Sequence, residues 1–268
     1  MRMISRIVAI LAVIILVASC GGGRKSNDPN HIRVGVATGP EYVIAETAKK
    51  VAKEKYGLEV ELVQFSDYIM PNTSLNQKDI DVNVFQTKPF YDEQVARRGY
   101  KFAIVGNTFV YPMAAYSKKI KILDELKDGS TVVIPNDMSN GSRALLLLQK
   151  VGLIRLKEGA ATPRLVDIVE NPKKLEILEL EAPQLPRVLD DAKVTISIIN
   201  NNFAGQAGLS MEDSVFVEDK DSPYVNLIVA REDNKDEEKV KNFVKAYQSD
   251  EVEKVASEVF KGGAVKAW

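Results

Sequence analysis

The chain has 268 residues, 45% hydrophobic and 27% charged, and its 36 Lys and Arg against 37 Asp and Glu leave a formal net charge of −1. That much apolar material in a chain this long builds one large domain or two ordinary ones and excludes a disordered protein, while the cancelling charge excludes a nucleic-acid surface. Cys20 is the only cysteine and His31 the only histidine, so no intramolecular disulfide forms and any transition-metal site would have carboxylates alone.

In chain order, Arg2 and Arg6 lead into an apolar run from Ile7 to Val17 that stops at Ala18-Ser19-Cys20. A basic n-region, an h-region of about 7 to 15 apolar residues and small residues before the cut make a signal peptide, whereas a spanning helix needs about 20. Residues 1–19 are therefore expected to be a lipoprotein-type signal peptide, with the mature chain starting at a Cys20 lipidated on sulfur. Each buried methylene contributes roughly 0.8 kcal/mol, so one acyl chain holds weakly and two or three hold almost permanently. Residues 20–30, containing GGGRKSNDP, read as a polar tether with His31 as a surface residue at its edge. The expected location is a lipid anchor on a membrane, with the body facing the periplasm. Gly21 after the cysteine, rather than aspartate, leaves outer-membrane placement open.

From Ile32 the chain alternates β-rich runs with helical patterns, which is the signature of an α/β fold. Strands are expected at 32–37, 59–64, 81–85 and 101–110, with helices at 42–55, 71–77 and 88–98. A second series runs through strands at 113–117, 131–135, 175–180 and 194–199 and a helix at 143–151. A return strand at 225–231 precedes two helices whose apolar residues recur at i, i+3, i+4, i+7: Val240, Phe243, Val244 and Tyr247, then Val252, Val255, Ala256 and Val259. Asp250 with Glu253 has capping-box spacing, and Gly262-Gly263 follows as a stop. The expected organisation is a first lobe of residues 31–110 plus 229–268 and a second of 111–228, closing on a ligand by hinge motion.

Catalytic motifs are missing: the sequence has no H-E-x-x-H, no G-x-S-x-G, no Walker A loop and no cysteine–histidine pair. A binder is expected rather than an enzyme, with its ligand outside the carboxyl ends of the strands. Arg143 opens a helix after the loop Pro135–Ser142, where a guanidinium can grip a carboxylate with two parallel hydrogen bonds; an exposed arginine is the competing reading. Asn200 heads an Asn-Asn-Asn run, which simple turn chemistry also accommodates. Asn226 sits inside an apolar strand, YVNLIV, where an amide is destabilising unless paired. Tyr68, Phe85, Phe90 and Tyr91 form an aromatic set whose competing reading is core packing.

The stretches HIRVGVATG, VGNTFVYPMAAYSKKIK, ALLLLQKVGLI, LEAPQLPRVLDDAKV, VEDKDSPYVNLIVAREDNK and GGAVKAW together resemble the methionine-binding lipoproteins of ABC importers, the MetQ/NlpA family, from about Pro29 to Trp268. The resemblance implies a two-lobed periplasmic-binding-protein fold that closes around L-methionine or a close analogue. It also implies delivery to a membrane permease driven by a cytoplasmic ATPase, with no cofactor and no nucleic acid. It puts the carboxylate-pairing arginine at Arg143, the asparagines for the backbone end of the ligand at Asn200 and Asn226, and the side-chain aromatics at Tyr68 and Phe85. Where the family commonly reads F-Q-H-K-P-Y, this chain has Phe85-Gln86-Thr87-Lys88-Pro89-Phe90, so Thr87 and Phe90 alter the side-chain pocket. The alternative reading is a surface lipoprotein of the same fold whose ligand is another amino acid or a methionyl peptide, or whose pocket is vestigial.

Overall fold

A computed structural model describes residues 28–219 and 222–268, so the signal segment, Cys20 and most of the tether lie outside the described residues. The first unit begins with β1 (His31–Ala37), α1 (Pro40–Tyr56), β2 (Glu59–Phe65), α2 (Met70–Asn76), β3 (Val82–Thr87), α3 (Lys88–Arg98) and β4 (Phe102–Val110). The chain then crosses to β5 (Ala114–Tyr116), β6 (Thr131–Pro135), α4 (Met138–Lys150), a small hairpin of β7 (Arg155–Leu156) and β8 (Ile168–Glu170), β9 (Glu176–Leu180), β10 (Val194–Ile199), α5 (Asn201–Gln206) and β11 (Ser214–Val217). It returns through β12 (Val225–Arg231), α6 (Glu238–Tyr247), α7 (Asp250–Val259) and β13 (Val265–Lys266).

Two separate sheets result. One has six strands in the order β13-β4-β12-β3-β1-β2, and the other five in the order β11-β5-β10-β6-β9. In each, the central strands run parallel, β2 with β1 and β1 with β3, then β9 with β6 and β6 with β10, and the return strands close one side antiparallel. Strands β3 and β6 are buried at every position, as expected of strands covered on both faces.

Helix α1 starts with Pro40, whose missing N–H is one the helix could not satisfy, and stops at Gly57, whose left-handed φ of 62° turns the chain into β2. Its Ile44, Ala48 and Val51 bury one face against Val240, Phe243 and Tyr247 of α6 and Val252 and Ala256 of α7. The C-terminal helices therefore complete the core of the first sheet, although the whole second unit separates them from it in sequence.

Three expectations need correction. The boundary placed at 228/229 falls inside β12, which pairs along Val225–Arg231 with β3 and β4; the chain re-enters the first sheet at Val225. Asp250 is the first residue of α7, not its cap: Ser249 holds the extended cap conformation. His31 opens β1, where its ring lies half-buried and 3.6 Å from Glu61.

Candidate functional site

The parallel strands of both sheets end toward one cavity. Glu41 reaches it from the first turn of α1 after β1, Phe85, Gln86, Thr87 and Phe90 from the end of β3 and the start of α3, Asn140 and Arg143 from α4 after β6, and Asn200, Asn201 and Asn202 from the cap and first turn of α5 after β10. This is the crevice outside strand carboxyl ends where open α/β sheets take ligands. Tyr68, Tyr111 and Asn226 complete the wall of this small cavity.

One part of the wall is aromatic. The Tyr68 ring lies 5.8 Å from Phe85, 6.2 Å from Phe90 and 5.0 Å from Phe203, and Phe85 meets Phe90 edge-on at 5.9 Å. Phe203 belongs to α5 and the other three to the first unit, so the cluster joins the two units. The remaining wall is polar. Asp137 caps α4 by accepting the N–H of Asn140 at 2.9 Å, and it also accepts from the Asn140 side chain, whose Oδ1 in turn accepts from Nδ2 of Asn200 at 2.8 Å. Burial raises the Asp137 carboxyl above its ordinary range despite these donors.

Arg143 is 3% exposed and fully engaged along one edge. Its Nε donates to both Glu218 oxygens at 3.1 and 3.2 Å, and its Nη2 donates to Glu218 and, at 2.9 Å, to the Tyr111 carbonyl. The Tyr224 ring covers it with the centroid 4.2 Å from Cζ. Glu218 is held in turn by the Met113 N–H, so the pair stands on both chain crossings. The two-pronged grip expected of Arg143 is thus made to a carboxylate of the protein itself, and Nη1 alone has no hydrogen bond to a described residue.

Three buried side-chain atoms in this wall have no hydrogen-bond partner among the described residues: Glu41 Oε2, Thr87 Oγ1 and Asn200 Oδ1. Buried polar groups are satisfied in the great majority of cases, so these three leave the cavity open to ligand or solvent atoms. Glu41 is the most costly of them. Burial pushes its carboxyl from 4.5 up to about 8. The Asn226 amide makes no hydrogen bond to a described residue either, although it stands at a bulge in β12 opposite Thr87.

The two units are also joined at the cavity's edge. Asn202 accepts the Glu41 N–H at 3.1 Å and donates to the Thr38 carbonyl at 2.9 Å, and Gln206 donates to the same carbonyl at 2.8 Å. A Cβ on Gly205 would lie 2.6 Å from Cγ of Pro40, so the close approach of α5 to α1 requires glycine there.

The seven candidate ligand residues from the sequence, Tyr68, Phe85, Thr87, Phe90, Arg143, Asn200 and Asn226, line this cavity; Tyr91, grouped with the aromatics, instead packs beside Phe102 and donates its hydroxyl to the Phe102 carbonyl. Glu41, Gln86, Tyr111, Asn140, Asn201 and Asn202 were not anticipated. The strand-end rule that favoured Arg143 also covers Glu41, four residues beyond the end of the first expected strand, and Asn140, expected in the loop before Arg143 and found in the first turn of α4. Tyr111 carried no signal, because an aromatic beside a strand end reads as core.

The profile of the NlpA lipoprotein family matches residues 32–268. A D-methionine-binding lipoprotein MetQ from Salmonella typhi is 63% identical over 262 residues, 97% of each chain. A crystal structure of the methionine-binding protein MetQ superposes with a TM-score of 0.89 at 64% identity, covering 90% of this chain and 99% of the other. A nutrient-binding protein from Burkholderia cenocepacia, solved bound to methionine, superposes with a TM-score of 0.86 at 47% identity, covering 88% and 100%.

Proposed function

Because this chain belongs to the NlpA lipoprotein family, a family of binding components rather than enzymes, we propose that it is the lipid-anchored substrate-binding protein of an ABC importer, taking L-methionine or a close analogue. The observation that carries this reading is one cavity between two α/β units that combines an aromatic slot, a cationic Arg143 and three polar atoms without a partner among the described residues. A polarizable thioether suits the slot formed by Tyr68, Phe85 and Phe90. In this reading Nη1 of Arg143 takes one carboxylate oxygen, and the amides of Asn200 and Asn226 hold the backbone end of the amino acid.

The lobes, 31–110 with 225–268 and the segment between them, hinge at the two crossings and close through α5. The loaded protein docks on a permease whose ATPase lies across the membrane, while Cys20 keeps it tethered on the periplasmic face. A second reading, a ligand other than methionine, is favoured by one observation: Thr87 presents an unsatisfied hydroxyl where the family commonly carries histidine. Mass spectrometry of ligand retained by the purified protein separates the two. Release of methionine, and its rebinding after unfolding, stripping and refolding, supports the first reading; retention of a different molecule with no methionine rebinding overturns it.

A further inference from the structure

The cavity is electrically balanced before a ligand enters. Arg143 is already paired with Glu218, so the group that reads a carboxylate brings no net charge to the cleft. An amino acid also carries an ammonium group, and neutral amides solvate such a group without neutralising it. Two unpartnered acceptors face this problem, Oε2 of Glu41 and Oδ1 of Asn200. Glu41 is 5% exposed, lies in the first turn of α1, and is fixed at its backbone by Asn202 across the cleft. The Asn200 amide is oriented by its bond to Asn140, which leaves the oxygen to receive a donor.

We propose that Glu41, with Oδ1 of Asn200, receives the ammonium group of the bound amino acid, and that the Glu41 carboxyl gives up its proton to solvent as that group arrives. The exchange balances: a neutral acid releases one proton to water, the ligand keeps all three N–H bonds, and a carboxylate–ammonium pair replaces the acid. This rests on the reading of the cleft as an amino-acid site and names the group that holds the cationic end. A carboxyl pushed up to about 8 by burial is protonated at neutral pH in the empty protein, so affinity rises with pH below that value.

Other titratable and charged groups surround α1 and the cavity. Tyr68, Tyr111 and Tyr247 of α6 are phenols that burial raises above their ordinary value. Arg143 of α4 is bound to Glu218, and Lys239 of α6 to Asp81 and Glu237. Helix α5 offers amides only, while Glu251 of α7 and Glu59 of β2 meet α1 through Lys55 and Lys53 at its far end. Asp137, bonded to Asn140 of the wall, is also raised by burial, and comparison with Glu41→Gln separates the two carboxyls.

The test is calorimetric titration of the ligand-stripped mature protein with L-methionine and with its desamino analogue 4-(methylsulfanyl)butanoate, at pH 6.5, in two buffers of different ionisation enthalpy. Expected for the wild type are release of close to one proton per methionine and affinity rising by up to about tenfold per pH unit between pH 6 and 7.5. Glu41→Gln should release none, bind roughly 30-fold or more weakly, and lose most of the preference for methionine over the desamino analogue. Carbon-13 NMR of the wild-type carboxyls gives an independent reading without a variant: one glutamate titrating near pH 8 when empty and ionised at pH 6.5 when loaded. Binding without proton release, equal release by Glu41→Gln, or equal affinity for the desamino analogue overturns the proposal. Failure of methionine to bind instead overturns the choice of ligand, and the retained molecule becomes the probe. A cationic nitrogen with proton release then supports the role of Glu41, and a ligand without one overturns it.

Discussion

At the scale of single residues, the cleft is defined by what its side chains lack. Arg143 keeps one nitrogen without a hydrogen bond to a described residue after Glu218, Tyr111 and Tyr224 have fixed its plane. Removing one partner of a buried charge pair typically costs about 2 to 5 kcal/mol. At about 1.4 kcal/mol per decade, Arg143→Ala should weaken amino-acid binding roughly 30-fold to several thousand-fold, as read by calorimetry. Circular dichroism should show the fold retained; unchanged affinity would remove Arg143 from the site. Thr87 presents the opposite case, a small residue with an unpartnered hydroxyl where a ring would fill space and supply a donor. Thr87→His should sharpen selectivity for methionine over norleucine and methionyl dipeptides in competition against labelled methionine. An unchanged ranking would mean that position 87 does not face the ligand side chain. The sequence made Arg143, Asn200 and Asn226 visible because a charge or amide at a strand end or within an apolar strand needs a partner. It gave no warning that Glu218, 75 residues further on, would occupy the paired edge of Arg143, because nothing local links those positions.

Among the elements, α5 matters most for its length. It has six residues, begins directly at the end of β10, and carries Asn201, Asn202 and Phe203 into the interface with the first unit. Its contact with α1 depends on Gly205, whose missing side chain admits Pro40. Overpacking such a contact costs about 1 to 3 kcal/mol. If closure supports binding, Gly205→Val should lower ligand affinity about 5-fold to 150-fold while the thermal unfolding of the empty protein changes little. A large loss of thermal stability with affinity intact would assign the contact to folding instead. The expected elements match most observed strands and long helices because their apolar periodicity is a local property; α4 is the exception, starting at Met138 under an Asp137 cap, five residues before the expected Arg143. Helix α5, β11 and β13 went unanticipated for the same reason: they are short, and tertiary contacts rather than propensity hold them.

For the whole molecule, the buried acid leaves a mark on global stability. In the ligand-free protein Glu41 keeps its proton up to about pH 8, whereas in the unfolded chain it ionises near 4.5. Between those values the folded state binds the extra proton, so this contribution is complete below 4.5 and is lost as pH rises toward 8, by at most about 1.4 kcal/mol per pH unit. Asp137 is raised too and acts in the same direction. Exposed acids such as Glu170 beside Arg155 are lowered and act only at more acidic pH. Denaturant unfolding of stripped protein should therefore show stability declining from pH 5 to pH 8, with a shallower decline in Glu41→Gln; parallel curves would contradict the buried acid. Anchoring is tested on the same scale: fatty-acid labelling should mark the wild type and not Cys20→Ala, and equal labelling of both would reject the lipoprotein reading. The sequence by itself determined the α/β class, most of the regular elements, the signal-like start and the identity of seven residues that share one cavity, because periodicity, strand-end position and family resemblance are all carried along the chain. Only the tertiary structure decided that β12 belongs whole to the first sheet, that Glu218 takes the paired edge of Arg143, and that Glu41 stands buried with its carboxyl raised by desolvation. Sheet pairing, ion pairing and desolvation depend on which distant segments meet in space.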